Sequence, residues 1–119
     1  MSSVILAVDF DGTLCKDAYP AIGEPNFWAL HAVKKAKENG AKLILWTCRC
    51  GQYLDQAVGW CLAQGITFDA INENLPEIVA KYGTNCRKIF ADYYLDDKNI
   101  SVDLMIQHPE RIERRMKND

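Results

Sequence analysis

The chain has 119 residues, of which 49% are hydrophobic and 25% are charged, and its formal net charge is −2. This length and composition are typical of a soluble globular protein, and we expect a single domain over residues 1–119. The small negative charge does not call for a nucleic-acid partner. No apolar run approaches the roughly 20 residues of a membrane span, and the first residues lack the basic start of a secretory signal.

The cysteines indicate a reducing compartment. Five of them are scattered along the chain: Cys15, Cys48, Cys50, Cys61 and Cys86. An odd, scattered set argues against a disulfide framework, so we expect free thiols and a cytoplasmic protein. The two clustered cysteines do not have the C-x-x-C spacing, and no second pair completes a zinc site. The histidines stand alone in the sequence and are expected to be packed or solvated.

The first predicted strand ends in two carboxylates. Residues 4–8 are apolar without interruption, as expected for a parallel strand that is covered on both faces. Asp9 and Asp11 follow, and carboxylates at the end of a central strand point into the crevice where open α/β sheets bind ligands. Two carboxylates so close repel each other unless a proton or a cation lies between them, and Mg²⁺ is a cation that prefers oxygen ligands. The alternative is an ordinary strand and an Asx-type turn that bends at Gly12.

The next predicted elements are a hairpin and a helix. Residues 12–24 contain proline and glycine breakers, which predict a loop or a small hairpin. Residues 25–39 have apolar side chains at helical spacing. Pro25 suits the first position of this helix, and Gly40 suits the position just past its end.

The second predicted strand, residues 41–47, ends at Thr47. Arg49 follows, and its planar guanidinium could bind a phosphate or a carboxylate of the substrate. Thr47 could equally be an ordinary threonine at the end of a strand, and Arg49 could form a surface salt bridge. A second helix is predicted over residues 51–64 and a third strand over residues 66–71.

The next carboxylate pair follows a fourth predicted strand. A short helix over residues 75–82, with Asn74 as its cap, precedes this strand. Residues 91–95 form the strand, and Asp96 and Asp97 end it. Asp92 is a rival metal ligand, but four residues of strand place it roughly 13 Å from the crevice.

Residues 100–107 predict a fifth strand and residues 109–117 a C-terminal helix. Strands and helices therefore alternate along the chain. This alternation predicts an α/β fold, with a parallel sheet of about five strands and helices on both faces.

Four motifs, in order, resemble those of the haloacid dehalogenase superfamily, most of whose members are Mg²⁺-dependent phosphatases. They are the stretch DFDGTL at residues 9–14, Thr47 after the second strand, Lys88 before the fourth strand, and the pair Asp96-Asp97 after it. The resemblance covers residues 9–97 and implies a three-layer, Rossmann-like fold. Neither of the places where members insert a cap domain has room for one, which implies a small capless member.

The resemblance also implies a phosphatase mechanism. Asp9 would be the nucleophile that forms an aspartyl-phosphate, and Asp11 the general acid–base. Thr47 and Lys88 would bind the oxygens of the transferring phosphoryl group. Lys88 could instead be a solvated lysine, and Lys81 or Arg87 could take its role. Some family members dehalogenate, but the second aspartate of the first motif favours phosphoryl transfer.

The resemblance implies Mg²⁺ as the cofactor. Its ligands would be Asp9, the backbone carbonyl of Asp11, and Asp96 or Asp97. Mg²⁺ would offset the repulsion between a phosphate dianion and a carboxylate nucleophile.

The lack of a cap bears on substrate and partners. An open site offers few specificity contacts of its own. Capless members often act on large substrates or use a neighbouring subunit as a cover. The expected partners are therefore a phosphorylated substrate, either a small molecule or a larger one, and a second copy of the chain. The ending Leu95-Asp96-Asp97-Lys98 also looks like that of deoxyribonucleotidase relatives, which makes a nucleotide one candidate substrate.

Two other classes of protein remain open. Receiver domains of signalling proteins have this length and these residue types, but they place the phosphorylated aspartate after the third strand, where Asp69 here lies inside a strand. The other class is a catalytically silent binding protein of the same fold. A lasting aspartyl-phosphate would favour the first class, and the absence of Mg²⁺ binding the second.

Overall fold

The structure is a computed structural model that describes residues 4–99 and Glu110. The strand predicted over residues 100–107 and most of the helix predicted over residues 109–117 lie outside those residues. The described elements, in chain order, are β1 (Ile5–Val8), β2 (Cys15–Ala18), β3 (Ala21–Pro25), α1 (Phe27–Glu38), β4 (Lys42–Leu45), α2 (Gly51–Ala63), β5 (Ala70–Ile71), α3 (Pro76–Tyr82) and β6 (Tyr93–Leu95).

Four of the strands form one parallel sheet, in the order β5-β4-β1-β6. The central strand β1 pairs with β4 on one side and with β6 on the other, and Val8 lies opposite both Leu45 and Leu95. The three strands therefore end at one level, and the residues that follow them meet at one edge of the sheet. The mixed α/β fold with a parallel sheet agrees with the prediction, although the described sheet has four strands rather than about five.

Both faces of the sheet are covered. Successive strand residues alternate between two hydrophobic clusters, as the two-residue period of a strand requires. The larger cluster joins Val8 and Leu45 to side chains of α1 and α2, including Leu30 and Cys61. The smaller cluster joins alternate residues of β1 and β4 to Leu75 and Ile89, with Ile78 of α3 packed against it. This double burial explains why the residues of β1 are apolar without interruption.

The predicted hairpin is present as β2 and β3, which pair as antiparallel strands outside the main sheet. Pro25 ends β3 and does not begin the helix that was predicted from it. The cap of α1 is instead Asn26, whose side chain accepts a hydrogen bond from the Ala29 N–H. The Asn26 amide also donates to the carbonyl of Thr13, and so links the start of the helix to the loop after β1.

Two other local predictions were wrong. Asn74 does not cap α3, because its buried side chain donates to the Cys86 carbonyl and accepts from the Phe90 N–H, and so holds the loop before β6. The third strand is only two residues long. Before it, the Asp69 carboxylate accepts from the Leu43 N–H and takes the place of a backbone acceptor. None of the helices among the described residues is long and apolar enough to cross a membrane.

Candidate functional site

A cleft of about 540 Å³ lies where β1, β4 and β6 end. Its floor is made by the residues that follow these three strands, and Asp17 and Tyr19 of the hairpin form one wall. A smaller hollow of about 210 Å³ lies beside α1. It is a weaker candidate, because the Lys37 ammonium there is already bonded to Thr67. We therefore take the larger cleft as the candidate site.

Three carboxylates meet in this cleft. Asp9, Asp96 and Asp97 each offer an oxygen atom, and these oxygens all lie within 4.8 Å of one another. The register of the sheet produces this convergence, since the Asp9 N–H donates to the Leu95 carbonyl at 2.9 Å. Burial raises the pKa of Asp9 from 3.8 to about 6, and the charges of Asp96 and Asp97 add to the shift.

Gly12 leaves room for one of these carboxylates. Its φ is +87°, a conformation that glycine adopts without strain, and a Cβ at this position would overlap the Asp97 carboxylate. The glycine of the DFDGTL stretch therefore suits the site in two ways: it adopts this backbone conformation without strain, and it leaves space for the Asp97 carboxylate.

Two threonines contribute hydroxyl groups to the site. The Thr13 hydroxyl donates to the Asp9 carboxylate at 3.0 Å, and this bond partly offsets the rise in the pKa of Asp9. Thr47 lines the cleft, and its backbone N–H is bonded to the side chain of Asn72. The Thr47 hydroxyl oxygen accepts from the Arg49 N–H at 3.1 Å, so its own proton is available for a ligand in the cleft.

Arg49 is buried and paired with Asp11. The residue is 2% exposed, and its Nε and Nη2 each donate to one oxygen of Asp11 at 2.8 Å. Its other three N–H groups donate to the carbonyls of Pro20, Ala21 and Tyr53. The bond to Asp11 raises the pKa of the guanidinium. All five donors are used within the protein, so in this arrangement Arg49 has none for the substrate that was predicted to bind it.

No protein-family model and no curated protein matches the chain. A solved structure does match it, that of a conserved protein coded by a locus of Bacteroides thetaiotaomicron. The two sequences are 36% identical over 94% of this chain and 93% of that chain, and the TM-score is 0.73. The chain belongs to the same family as that conserved protein. That neighbour is described only as a conserved protein, so the likeness carries no activity over to this chain.

The structure brings together most of the residues predicted for the site, but not Lys88. Asp9, Asp11, Thr47, Asp96 and Asp97 all line the cleft. The one lysine in the described lining is instead Lys98, which follows the Asp96-Asp97 pair directly and whose backbone N–H donates to Asp96. The side chain of Lys88 is exposed and does not line the cleft.

Asp92, the rival metal ligand, lies at the opposite end of the sheet, where it accepts from the Ile5 N–H at 2.7 Å. Sequence reasoning also passed over Asp17, Tyr19 and Lys98 as site residues. A signal existed for Lys98, since it is the first cation after the carboxylate pair. No pattern indicated the hairpin residues, because only their position in three dimensions brings them to the cleft.

Proposed function

We propose that the protein is a Mg²⁺-dependent phosphohydrolase that cleaves phosphate monoesters through an aspartyl-phosphate on Asp9, as a capless member of the haloacid dehalogenase superfamily. The observation that carries this proposal is the convergence of Asp9, Asp96 and Asp97 within 4.8 Å at the carboxyl edge of a parallel sheet. The finer description of the fold, a three-layer Rossmann-like sheet of about five strands, is part of the same proposal. So is a cytoplasmic setting, which the five free cysteines support.

The carboxylate cluster fits Mg²⁺. Its donors are hard oxygen atoms. Burial, and after it the charges of Asp96 and Asp97, raise the pKa of Asp9, and a divalent cation would offset both effects. Asp9, Asp96 and Asp97 would hold the ion, with the backbone carbonyl of Asp11 as a further ligand by resemblance. When bound, Mg²⁺ supplies positive charge that offsets the phosphate dianion and polarises its oxygens.

Each step of the reaction is then assigned to a residue of the chain. An oxygen of Asp9 attacks phosphorus and forms a P–O bond while the ester P–O bond breaks, and the Thr13 hydroxyl holds Asp9 in position. For proton delivery, one oxygen of Asp11 must leave Arg49 and take up a proton from solvent, which Asp11 then gives to the leaving alkoxide. Water next attacks the aspartyl-phosphate and gives a proton back to Asp11, which releases inorganic phosphate and restores the carboxylate of Asp9.

Thr47 and Lys98 are the groups that we assign to the phosphoryl oxygens. The Thr47 hydroxyl accepts from the Arg49 N–H and keeps its proton for a ligand. Lys98 lines the cleft, and its ammonium is only loosely paired with Asp97, at 3.8 Å with 76% of its side chain exposed. In this proposal Lys98 takes the role that the sequence predicted for Lys88.

One observation favours a second candidate function. Both oxygens of Asp11 accept hydrogen bonds from Arg49, and proton delivery requires at least one of them to be released. A protein in which this pair stays closed would keep a phosphoryl group on Asp9, or would bind a phosphorylated partner without turnover. The predicted phosphoacceptor and silent binding module are the two forms of this candidate.

Hydrolysis of p-nitrophenyl phosphate tests the proposal. We expect turnover that requires Mg²⁺, is abolished by a chelator and is lost in Asp9→Asn, which keeps the shape of the side chain but removes its charge. Turnover that is unchanged in Asp9→Asn would exclude Asp9 as the nucleophile. Mg²⁺ binding without turnover in the wild type would favour the second candidate.

A further inference from the structure

The cleft extends beyond the carboxylates to a wall made by the β2–β3 hairpin. Its volume, about 540 Å³, lies within the range of roughly 300–1,000 Å³ that is typical of small-molecule sites. A phosphate group alone would not fill it. The chemistry of the hairpin wall therefore bears on the group to which the phosphate is attached.

Tyr19 forms an aromatic surface on that wall. The centre of the Arg49 guanidinium lies 5.1 Å from its ring centroid, and the Tyr53 ring contacts it edge-on at 5.7 Å. Arg49 also donates to the carbonyls of Pro20 and Ala21, at the turn that carries Tyr19. Tyr19 is nevertheless 55% exposed. A ring that is held in place on one side and open on the other can stack against a flat group at little cost in conformational freedom.

The charge of the described lining disfavours anionic groups on that wall. Arg49 compensates Asp11, and a divalent cation together with Lys98 would compensate Asp9, Asp96 and Asp97. Asp17, which is exposed beside Tyr19, is then left without a compensating cation among the described residues. A second negative charge on the substrate would be repelled by the Asp17 carboxylate that lines the cleft.

We infer that the substrate is a phosphate monoester whose leaving group carries a flat aromatic ring and no further negative charge, with the ring stacked on Tyr19. This inference rests on the proposed phosphohydrolase activity and specifies its substrate class. The carboxylate triad (Asp9, Asp96 and Asp97) acts on the phosphate together with Thr47. Tyr19 and Asp17 select the leaving group to which the phosphate is attached.

The test of the ring compares benzyl phosphate with cyclohexylmethyl phosphate. Both release a primary alcohol, but only the first carries a flat ring. We expect the wild type to have a KM that is about 2- to 10-fold lower for benzyl phosphate, the range expected for one aromatic contact. Tyr19→Phe should keep this preference, and Tyr19→Leu should abolish it by raising the KM for benzyl phosphate to that for cyclohexylmethyl phosphate. Tyr82→Leu is the matched control, because Tyr82 is 57% exposed and lies outside the cleft.

The test of charge compares benzyl phosphate with its 4-carboxy derivative. We expect the wild type to hydrolyse the carboxylate-bearing compound several-fold less efficiently, and Asp17→Asn to remove most of that difference.

Equal KM values for the benzyl and cyclohexylmethyl compounds in the wild type would overturn the inference. A preference for benzyl phosphate that survives in Tyr19→Leu would overturn it as well.

These outcomes separate the inference from the proposed function. Mg²⁺-dependent turnover of both compounds with equal KM would leave the phosphohydrolase proposal standing and overturn the substrate class. Failure to hydrolyse any of these compounds or p-nitrophenyl phosphate would overturn both. Thermal unfolding of each variant shows whether a loss of activity comes from a loss of folded protein.

Discussion

Arg49 holds Asp11 by two parallel hydrogen bonds of 2.8 Å, from Nε to one carboxylate oxygen and from Nη2 to the other. The guanidinium lies between the rings of Phe10 and Tyr19, with its centre 5.0 Å and 5.1 Å from the two ring centroids. A single buried cation thus connects the end of β1, the end of β4 and the hairpin. The second aspartate of the DFDGTL stretch is positioned by the protein itself before any substrate arrives.

Removing the arginine should destabilise the fold. Arg49→Met leaves Asp11 without its cation and three backbone carbonyls without a donor, and we expect a loss of about 3–5 kcal/mol in the free energy of unfolding. Arg49→Lys keeps the charge but not the fork, so its loss should be smaller. Urea unfolding measures both. A double variant Arg49→Met/Asp11→Asn should lose less than the sum of the single changes, and strict additivity would show that the pair contributes no coupling.

Gly12→Ala should weaken both folding and metal binding. The added Cβ overlaps the Asp97 carboxylate, and a φ of +87° costs a non-glycine residue roughly 1–2 kcal/mol. The matched control is Gly59→Ala in α2, where a Cβ meets no atom within 4 Å and should stabilise the helix by about 0.5–1 kcal/mol. Thermal unfolding with and without Mg²⁺ measures the two effects. An unchanged Mg²⁺ response in Gly12→Ala would remove Asp97 from the metal site.

Lys98 and Lys88 should behave differently when they are truncated. Lys98 lines the cleft and Lys88 does not, so Lys98→Ala should raise the KM for a phosphate monoester about tenfold, as expected for one charge-assisted hydrogen bond. Lys88→Ala should leave the KM unchanged. The opposite result, with the KM raised only in Lys88→Ala, would restore the role that the sequence predicted for Lys88.

The stability of the metal-free protein should depend on Asp9 and on pH. Its pKa is about 6 in the folded protein, mainly because of burial, against 3.8 for an unburied aspartate. The folded state therefore binds this proton more tightly than the unfolded state does, and stability is lost as the pH rises from about 4 through 6. In the presence of a chelator, Asp9→Asn should avoid this loss and unfold at a higher temperature than the wild type at pH 8.

The pH dependence provides the control for that comparison. At pH 4 the two proteins should unfold at nearly the same temperature, because Asp9 is then largely protonated in the folded wild type. A wild type that is more stable than Asp9→Asn at pH 8 without metal would contradict the account. Added Mg²⁺ should stabilise the wild type more than the variant, because the ion relieves the repulsion at Asp9.

The carboxylate triad could be predicted from the sequence, and the Asp11–Arg49 pair could not. Asp9 follows an apolar run and Asp96-Asp97 follows a predicted strand, and the family resemblance implied that these two strands are neighbours whose ends meet. The Arg49 side chain is also held by the carbonyls of Pro20 and Ala21 in the hairpin, and no local pattern specifies where the hairpin lies over the sheet. An arginine after a strand was therefore interpreted as a substrate ligand when it is a buried structural cation.

Tertiary contacts also explain the smaller errors. Asn74 has the residue type and position of a helix cap, but its amide is bonded to the loop that precedes β6. The third strand was predicted from six residues and has two, because the Asp69 side chain replaces a backbone acceptor. Side chains that bond to distant backbone groups override local propensity in both places.

The measurement that most directly tests the central claim is mass spectrometry of the protein after brief exposure to p-nitrophenyl phosphate and Mg²⁺, followed by an acid quench. We predict a fraction of the wild type that carries the mass of one phosphoryl group, located by peptide analysis on Asp9 and absent from Asp9→Asn. In the wild type this fraction should fall once the substrate is consumed. Turnover of the substrate with no covalent phosphoryl group at any quench time, or with the group on another residue, would contradict the account.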